Sequence, residues 1–238
     1  MVEYLKGVIF MAKKSGTKHL KRIAMPKSFG LQRKGLTWVI NPLPGRHSKS
    51  RCIPLNYAVI MLGFAKTSNE AKQILNSRKV KIDGKVRTEQ KEPVGFMDVI
   101  TIGDKSWRAI LDKKGRMTFV ESKNPSVKLC QVKNKTKIKG GKIQLTLHDG
   151  RNILDFDAKI GDVIQISLPE GKASGKIELK EGALCLLTGG KKVGNKIKIK
   201  EIIPSSATRN SEIKGELEDG SEAITLTKYA FPINDDFI

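Results

Sequence analysis

The chain has 238 residues, with 45 Lys and Arg against 24 Asp and Glu, giving a net charge of +21 and a pI near 9.9. Hydrophobic residues make up 39% but aromatics only 5%, which argues for several small cores over one large enzyme core. Solubility does not require such an excess of positive charge, so the natural counterpart is a polyanion, nucleic acid first; no run is long enough to span a membrane.

The charge is uneven. Residues 1–51 carry twelve Lys and Arg against the single acid Glu3, residues 52–112 ten against seven, residues 113–201 twenty against nine, and the tail from 202 three against seven. The opening MVEYLKGVIFMAKKSG has an apolar core, Val8 to Ala12, too short for a secretory signal. Met11 reads as an alternative start, with residues 1–10 an upstream extension. From Lys13 to Arg51 there is neither helical nor strand periodicity, and the prolines and glycine of NPLPGRHSKSR block a long helix. Such a segment cannot fold alone and is expected as an extended arm ordered against phosphates. Phe29, Leu31, Leu36, Trp38, Val39 and Ile40 depart from that pattern; they either dock the arm on a folded domain or stack on bases.

After Arg51 a compact α/β unit is expected. Pro54 fits a first helical turn, Leu55, Ala58, Val59 and Leu62 follow at helical spacing, and Gly63 ends the run. Thr67-Ser68-Asn69-Glu70 is a capping box opening a helix with Ala71, Ile74 and Leu75 on its inner face, and Lys66, Lys72 and Arg78 outside it. KVKIDGKVR, residues 79–87, is a basic β-hairpin. A two-residue turn at Asp83-Gly84 sets Ile82 against Lys85, and a three-residue loop sets Ile82 against Val86; the sequence admits both. Asp98 to Ile102 is a further strand. From about residue 113 the pattern is all-β, with a turn at His148-Asp149-Gly150 and a second β unit from Glu181 through Gly189-Gly190-Lys191-Lys192-Val193-Gly194 to Ile202. Cys52, Cys130 and Cys185 are odd in number and far apart, which suits buried small hydrophobes in a reducing cytoplasm. His19, His47 and His148 have no companion at metal or triad spacing, so no catalytic residue, metal ligand or cofactor is expected.

The Ser68-to-Leu75 helix, Val80-x-Ile82-Asp83-Gly84-Lys85-Val86 and Pro93-Val94-Gly95-Phe96-Met97-Asp98-Val99-Ile100 resemble the S-four RNA-binding domain. Lys72 matches its basic helix position, and Asn69 stands where many members carry Arg. Gly182 to Ile202 resembles a KOW motif, with Ile197 in place of a later glycine. With Lys18-His19-Leu20-Lys21-Arg22, the order of these features from Met11 onward resembles the archaeal and eukaryotic-type family of small-subunit ribosomal protein four.

That resemblance implies an α+β multidomain chain: a basic N-terminal arm (1–51), a small α/β S-four-type domain (52–112), a central β domain (113–172) and an SH3-like KOW barrel (173–238). It also implies a non-enzymatic, cytoplasmic, ribosome-associated protein that binds small-subunit ribosomal RNA and neighbouring ribosomal proteins, with no membrane and no small-molecule substrate. The candidate contacts on the folded part are Arg51, Lys66, Lys72, Arg78, Lys79, Lys81, Lys85 and Arg87. On the arm they are Lys13, Lys14, Lys18, His19, Lys21, Arg22, Lys27, Arg33, Lys34, Arg46, His47 and Lys49. Trp38 is either a stacking platform or a docked anchor. Lys191 and Lys192 face RNA, protein or solvent, and the acids Glu216, Glu218 and Asp219 avoid phosphate. The alternatives are an RNA-modifying enzyme, for which no Arg-x-Asp loop is present after 113, and a KOW-bearing transcription or translation factor.

Overall fold

The computed structural model describes residues 18–138, 140–206 and 208–234; Lys13 and Lys14 lie outside them. The described residues are mostly β, in three five-stranded antiparallel sheets with two short helices and a docked arm.

Helix α1 is Leu55–Met61, with Pro54 as its N-cap. Pro54 also closes a short strand, Cys52–Pro54, paired with Pro93–Gly95, so it stands just before the first turn expected for it. Leu55, Ala58 and Val59 are fully buried. Helix α2, Ser68–Asn76, starts as its capping box dictates: the Glu70 N–H donates to Thr67 Oγ1 at 3.3 Å. The Glu70 carboxylate accepts from the Lys66 N–H at 2.9 Å, one residue earlier than in the usual reciprocal pair. Ala71 and Leu75 are buried; a Leu so placed contributes about 2 kcal/mol.

The hairpin strands are β1, Val80–Ile82, and β2, Lys85–Val86, and they lie in a sheet with β3, Val99–Ile102, β4, Lys105–Leu111, and β5, Met117–Glu121, ordered β2-β1-β3-β4-β5. Lys81 pairs with Val86 and Ile82 with Lys85. Asp83 and Gly84 both take left-handed backbone, at φ 51° and 77°, so the two-residue turn is the one formed. Mixed faces are tolerated because β2 is a two-residue edge strand with both side chains exposed. Only β1 buries its apolar residues. Strand β5 pairs with β4 through the Lys113-Lys114-Gly115 turn, so this sheet runs past residue 112, where the central unit was expected to begin.

The second sheet comprises β6, Val127–Lys137, β7, Ile143–Leu147, β8, Asn152–Leu154, β9, Val163–Ser167, and β10, Ala173–Ile177, ordered β8-β7-β6-β9-β10. The long strand β6 pairs with β9 over its first half and with β7 over its second, with a register shift between Val132 and Asn134; a bulge there bends the sheet around its core. That core contains Cys130, Leu145, Ile164 and Ile166. Strand β10 carries this sheet beyond residue 172. The third sheet, β11, Leu184–Leu187, β12, Lys196–Ile203, β13, Glu212–Leu217, β14, Glu222–Leu226, and β15, Ala230–Pro232, is ordered β14-β13-β12-β11-β15. Ile197 lies inside β12, buried opposite Cys185 and Leu217, which is why no glycine is needed at that position. The three cysteines are free and buried.

The arm is not a loose tail. Leu20–Lys21 pairs with Trp38–Val39, and Leu20, Met25, Phe29 and Val39 join the core of α1, α2 and the hairpin sheet. Phe29 meets Tyr57 edge-on at 6.0 Å. Ile23, Leu36 and Trp38 stay exposed. The two alternatives for the arm's apolar residues are thus divided between them, with Phe29 and Val39 docked and Trp38 open.

Candidate nucleic-acid interface

Fourteen expected contacts are exposed: Lys18, His19, Lys21, Lys27, Arg33, Lys34, Lys49, Arg51, Lys66, Lys72, Arg78, Lys79, Lys81 and Lys85. No ion pair among the described residues reaches their cations, so their charge is open to an external anion. Arg22 is half-buried and donates to the Gln32 carbonyl, while Arg33 donates to the Ile23 carbonyl; these two bonds fold the arm on itself. Arg87 is half-buried, with Nε 3.6 Å from Glu92.

The hairpin register divides its cations. Lys81 shares a face with Val86, whereas Lys85 shares the opposite face with Ile82, and alternation places Arg87 with Lys85. Arg78 follows α2 at φ 59°, a left-handed position that a bulky residue occupies at a cost of about 1–2 kcal/mol. That reversal turns Arg78 and Lys79 from the end of the helix into the hairpin. On the arm, the His19 and Trp38 rings lie 5.5 Å apart, an exposed aromatic pair among cations.

Arg46 and His47 do not belong to this surface. His47 is buried, with Nε2 2.9 Å from Asp98 Oδ2, and its ring packs on Gly95 so closely that any Cβ there would collide. Arg46 Nη1 bonds Asp83 Oδ2 at 2.6 Å. Both are drawn inward by a buried ionic cluster. At its centre the Lys128 ammonium, fully buried, lies 2.9 Å from Asp83, 2.5 Å from Asp98 and 3.2 Å from Asp149. Arg151 bridges Asp83 at 2.7 Å and Asp149 at 3.1 Å. Burial disfavours the Asp98 carboxylate, but Lys128, His47 and Arg46 outweigh it and hold the group well below the usual carboxylate range. Burial likewise opposes the charge on Lys128, and the three carboxylates raise it above the ordinary lysine range. The cluster joins the arm, the hairpin sheet and the second sheet, and so sets how the exposed cations are presented. The signal for it in the sequence is a lysine within the apolar run of β6. His148 sits beside it: Nδ1 accepts from the Gln131 N–H at 3.1 Å and Nε2 faces the Phe96 carbonyl at 3.1 Å. Burial and Lys128 push its pKa down to about 4.

Fold and site together define a basic, multi-sheet, mostly β protein built around an S4 domain. Family models match in chain order: the RS4NT domain over residues 14–50, the S4 domain over 54–100 and the ribosomal family S4e over 103–173. The small ribosomal subunit protein eS4 of Methanocaldococcus jannaschii is 42% identical, over 95% of this chain and 98% of the relative. That of Methanosphaera stadtmanae is 41% identical over 95% and 96%. The crystal structure of the 30S ribosomal protein S4e from Thermoplasma acidophilum superposes with a TM-score of 0.66 at 31% identity, covering 79% of this chain and 97% of that one. The chain belongs to the ribosomal S4e family.

Proposed function

We propose that the chain is a structural constituent of the small ribosomal subunit, holding ribosomal RNA through its docked arm and S4 domain. It acts in the cytoplasm, on the ribosome, by binding and without catalysis. The observation that carries this reading is the set of exposed cations on the arm, α2 and the hairpin with no ion-pair partner among the described residues, on a chain that matches eS4 proteins over nearly its whole length.

Those cations neutralise phosphates, and the gain is largely counterion release. A-form RNA hides its major groove, so backbone shape, the shallow groove and splayed bases are what such a face reads. Sheet membership supports a division into the arm to residue 51, an RNA-binding unit through β5, a central β unit through β10, and a KOW-type SH3-like barrel beyond it. Neighbouring ribosomal proteins are the second class of partner. Lys200 is committed within the chain, 3.1 Å from Glu216 and 3.2 Å from Glu222, while Glu218 and Asp219 are exposed and suited to a basic neighbour.

The test is the salt dependence of binding to small-subunit ribosomal RNA. Replacing Lys66, Lys72, Lys79 and Lys81 by Gln lowers the magnitude of the log–log slope by about 3, at roughly 0.7–0.9 per contact. An unchanged slope removes the S4 face from the interface.

A further inference from the structure

A cleft of about 710 Å³ opens where the arm, the hairpin sheet, β6 and the third sheet meet. Its rim carries Lys27, Arg51, Lys113, Lys114, Lys133 and Lys191, and none of its lining residues is Asp or Glu. No ion pair among the described residues reaches these six. The nearest carboxylate in sequence, Asp112, accepts from the Lys113 N–H at 2.7 Å. The floor is different in kind. Phe96 and Phe231 meet edge-on at 4.9 Å and are buried beneath it; the rings that open to the cleft are His148, which packs on Phe231 at 5.8 Å, and Tyr229, both half-buried.

The Gly-Gly-Lys-Lys-Val-Gly loop, residues 189–194, has a role here that neither the S4 face nor the sheet core explains. A side chain at Gly194 would collide with the backbone of Asp112 and Lys113, and one at Gly189 with the Tyr229 ring. Val193 rests on Gly115 at contact distance, 3.4 Å from where a Cβ would stand. The loop is therefore pressed against the β4–β5 turn, and this holds Lys191 beside Lys113 and Lys114. Burial first, and the nearby Arg51 second, push Lys133 down to about 8, while its ammonium donates to Gln131 Oε1 at 2.6 Å.

We propose that this cleft receives an extruded nucleotide of single-stranded RNA, its base against the His148 and Tyr229 rings and its flanking phosphates on the cationic rim. Apolar floor, cationic rim and concave shape match a nucleotide better than a smooth duplex backbone. The proposal rests on the reading of the chain as a ribosomal RNA binder and adds a second site, which shares Lys27 and Arg51 with the arm surface and includes none of Lys66, Lys72, Lys79 and Lys81.

The experiment uses the full chain. A 4-thiouridine-substituted small-subunit ribosomal RNA is photo-crosslinked and the adducts are mapped. In parallel, salt slopes are measured for a short single-stranded RNA with wild type, the cleft variant Lys113→Gln/Lys114→Gln/Lys191→Gln, and the S4-face variant Lys79→Gln/Lys81→Gln. The cleft gives adducts at 111–115, 189–193 or 229–231, and its variant lowers the slope by about 2, at roughly 0.7 per contact. The S4-face variant leaves those adducts in place. Adducts confined to arm and S4 residues outside the cleft lining, with an unchanged slope for the cleft variant, overturn the cleft and leave the ribosomal reading standing. Duplex RNA or an acidic peptide competing as well as the single strand overturns the nucleotide assignment. Failure of the wild type to bind any RNA overturns both readings.

Discussion

Replacing Lys128 by Met keeps most of the side-chain volume of β6 and removes the charge at the centre of the buried cluster. Three carboxylates, Asp83, Asp98 and Asp149, face three permanent cations, Lys128, Arg46 and Arg151. The substitution leaves one carboxylate in excess. Asp98 suffers most, because Lys128 is its strongest stabilising charge and it is fully buried. Breaking a buried pair on one side costs about 3–5 kcal/mol, a large share of the ~5–15 kcal/mol that holds a domain folded. Urea unfolding followed by Trp fluorescence reads the loss, since Trp107 stands in β4 of the hairpin sheet. With a slope of about 2 kcal/mol per molar urea, the midpoint falls by roughly 1.5–2.5 M. A drop below about 0.5 M would refute the claim that Lys128 balances these carboxylates.

Acid destabilises the fold in two windows. His148 is held neutral, so the unfolded chain takes up its proton first: stability is full above about pH 6.5 and declines toward about pH 4, by up to about 3 kcal/mol from a shift of that size. His148→Gln, followed by urea midpoints across that range, flattens the decline. Asp98 and Asp149, both lowered, contribute stability above the ordinary Asp range and lose it as pH falls below that range toward their folded values. Arg78→Gly relieves the left-handed backbone and raises stability by about 0.5–1 kcal/mol, while weakening RNA binding; thermal melting and filter binding must move in opposite senses. Trp38→Ala costs about 1–3 kcal/mol of single-stranded RNA affinity if a base stacks there, and the melting temperature stays put because the ring is 55% exposed.

Local chemistry was legible in the sequence where one short segment decides the outcome. The capping box begins α2 because Thr67 and Glu70 satisfy helix-end N–H groups wherever the helix packs. The Asp83-Gly84 turn left two registers open because its apolar pattern is too short to choose between them. The choice tracks the Asp83 carboxylate, which accepts from the Val99 N–H at 3.1 Å and meets Lys128 and Arg46 across the fold. Those partners are remote in sequence, and so the inward turn of Arg46 and His47 was illegible too. For the same reason the arm's docking was only half readable: Phe29 and Trp38 are both aromatics in a basic segment, and only the core around Tyr57 separates them. The stretch from Leu20 to Val39 is part of the fold as well as of the basic surface, since Leu20, Met25, Phe29 and Val39 belong to the core.

The central claim is that this chain is an integral part of the small subunit, and sucrose-gradient fractionation of ribosomes after a high-salt wash tests it most directly. An integral constituent, clamped by many phosphate contacts and assembled into the particle, remains with the small subunit through the wash. Release to the top of the gradient would contradict the account and mark the chain as a transient visitor.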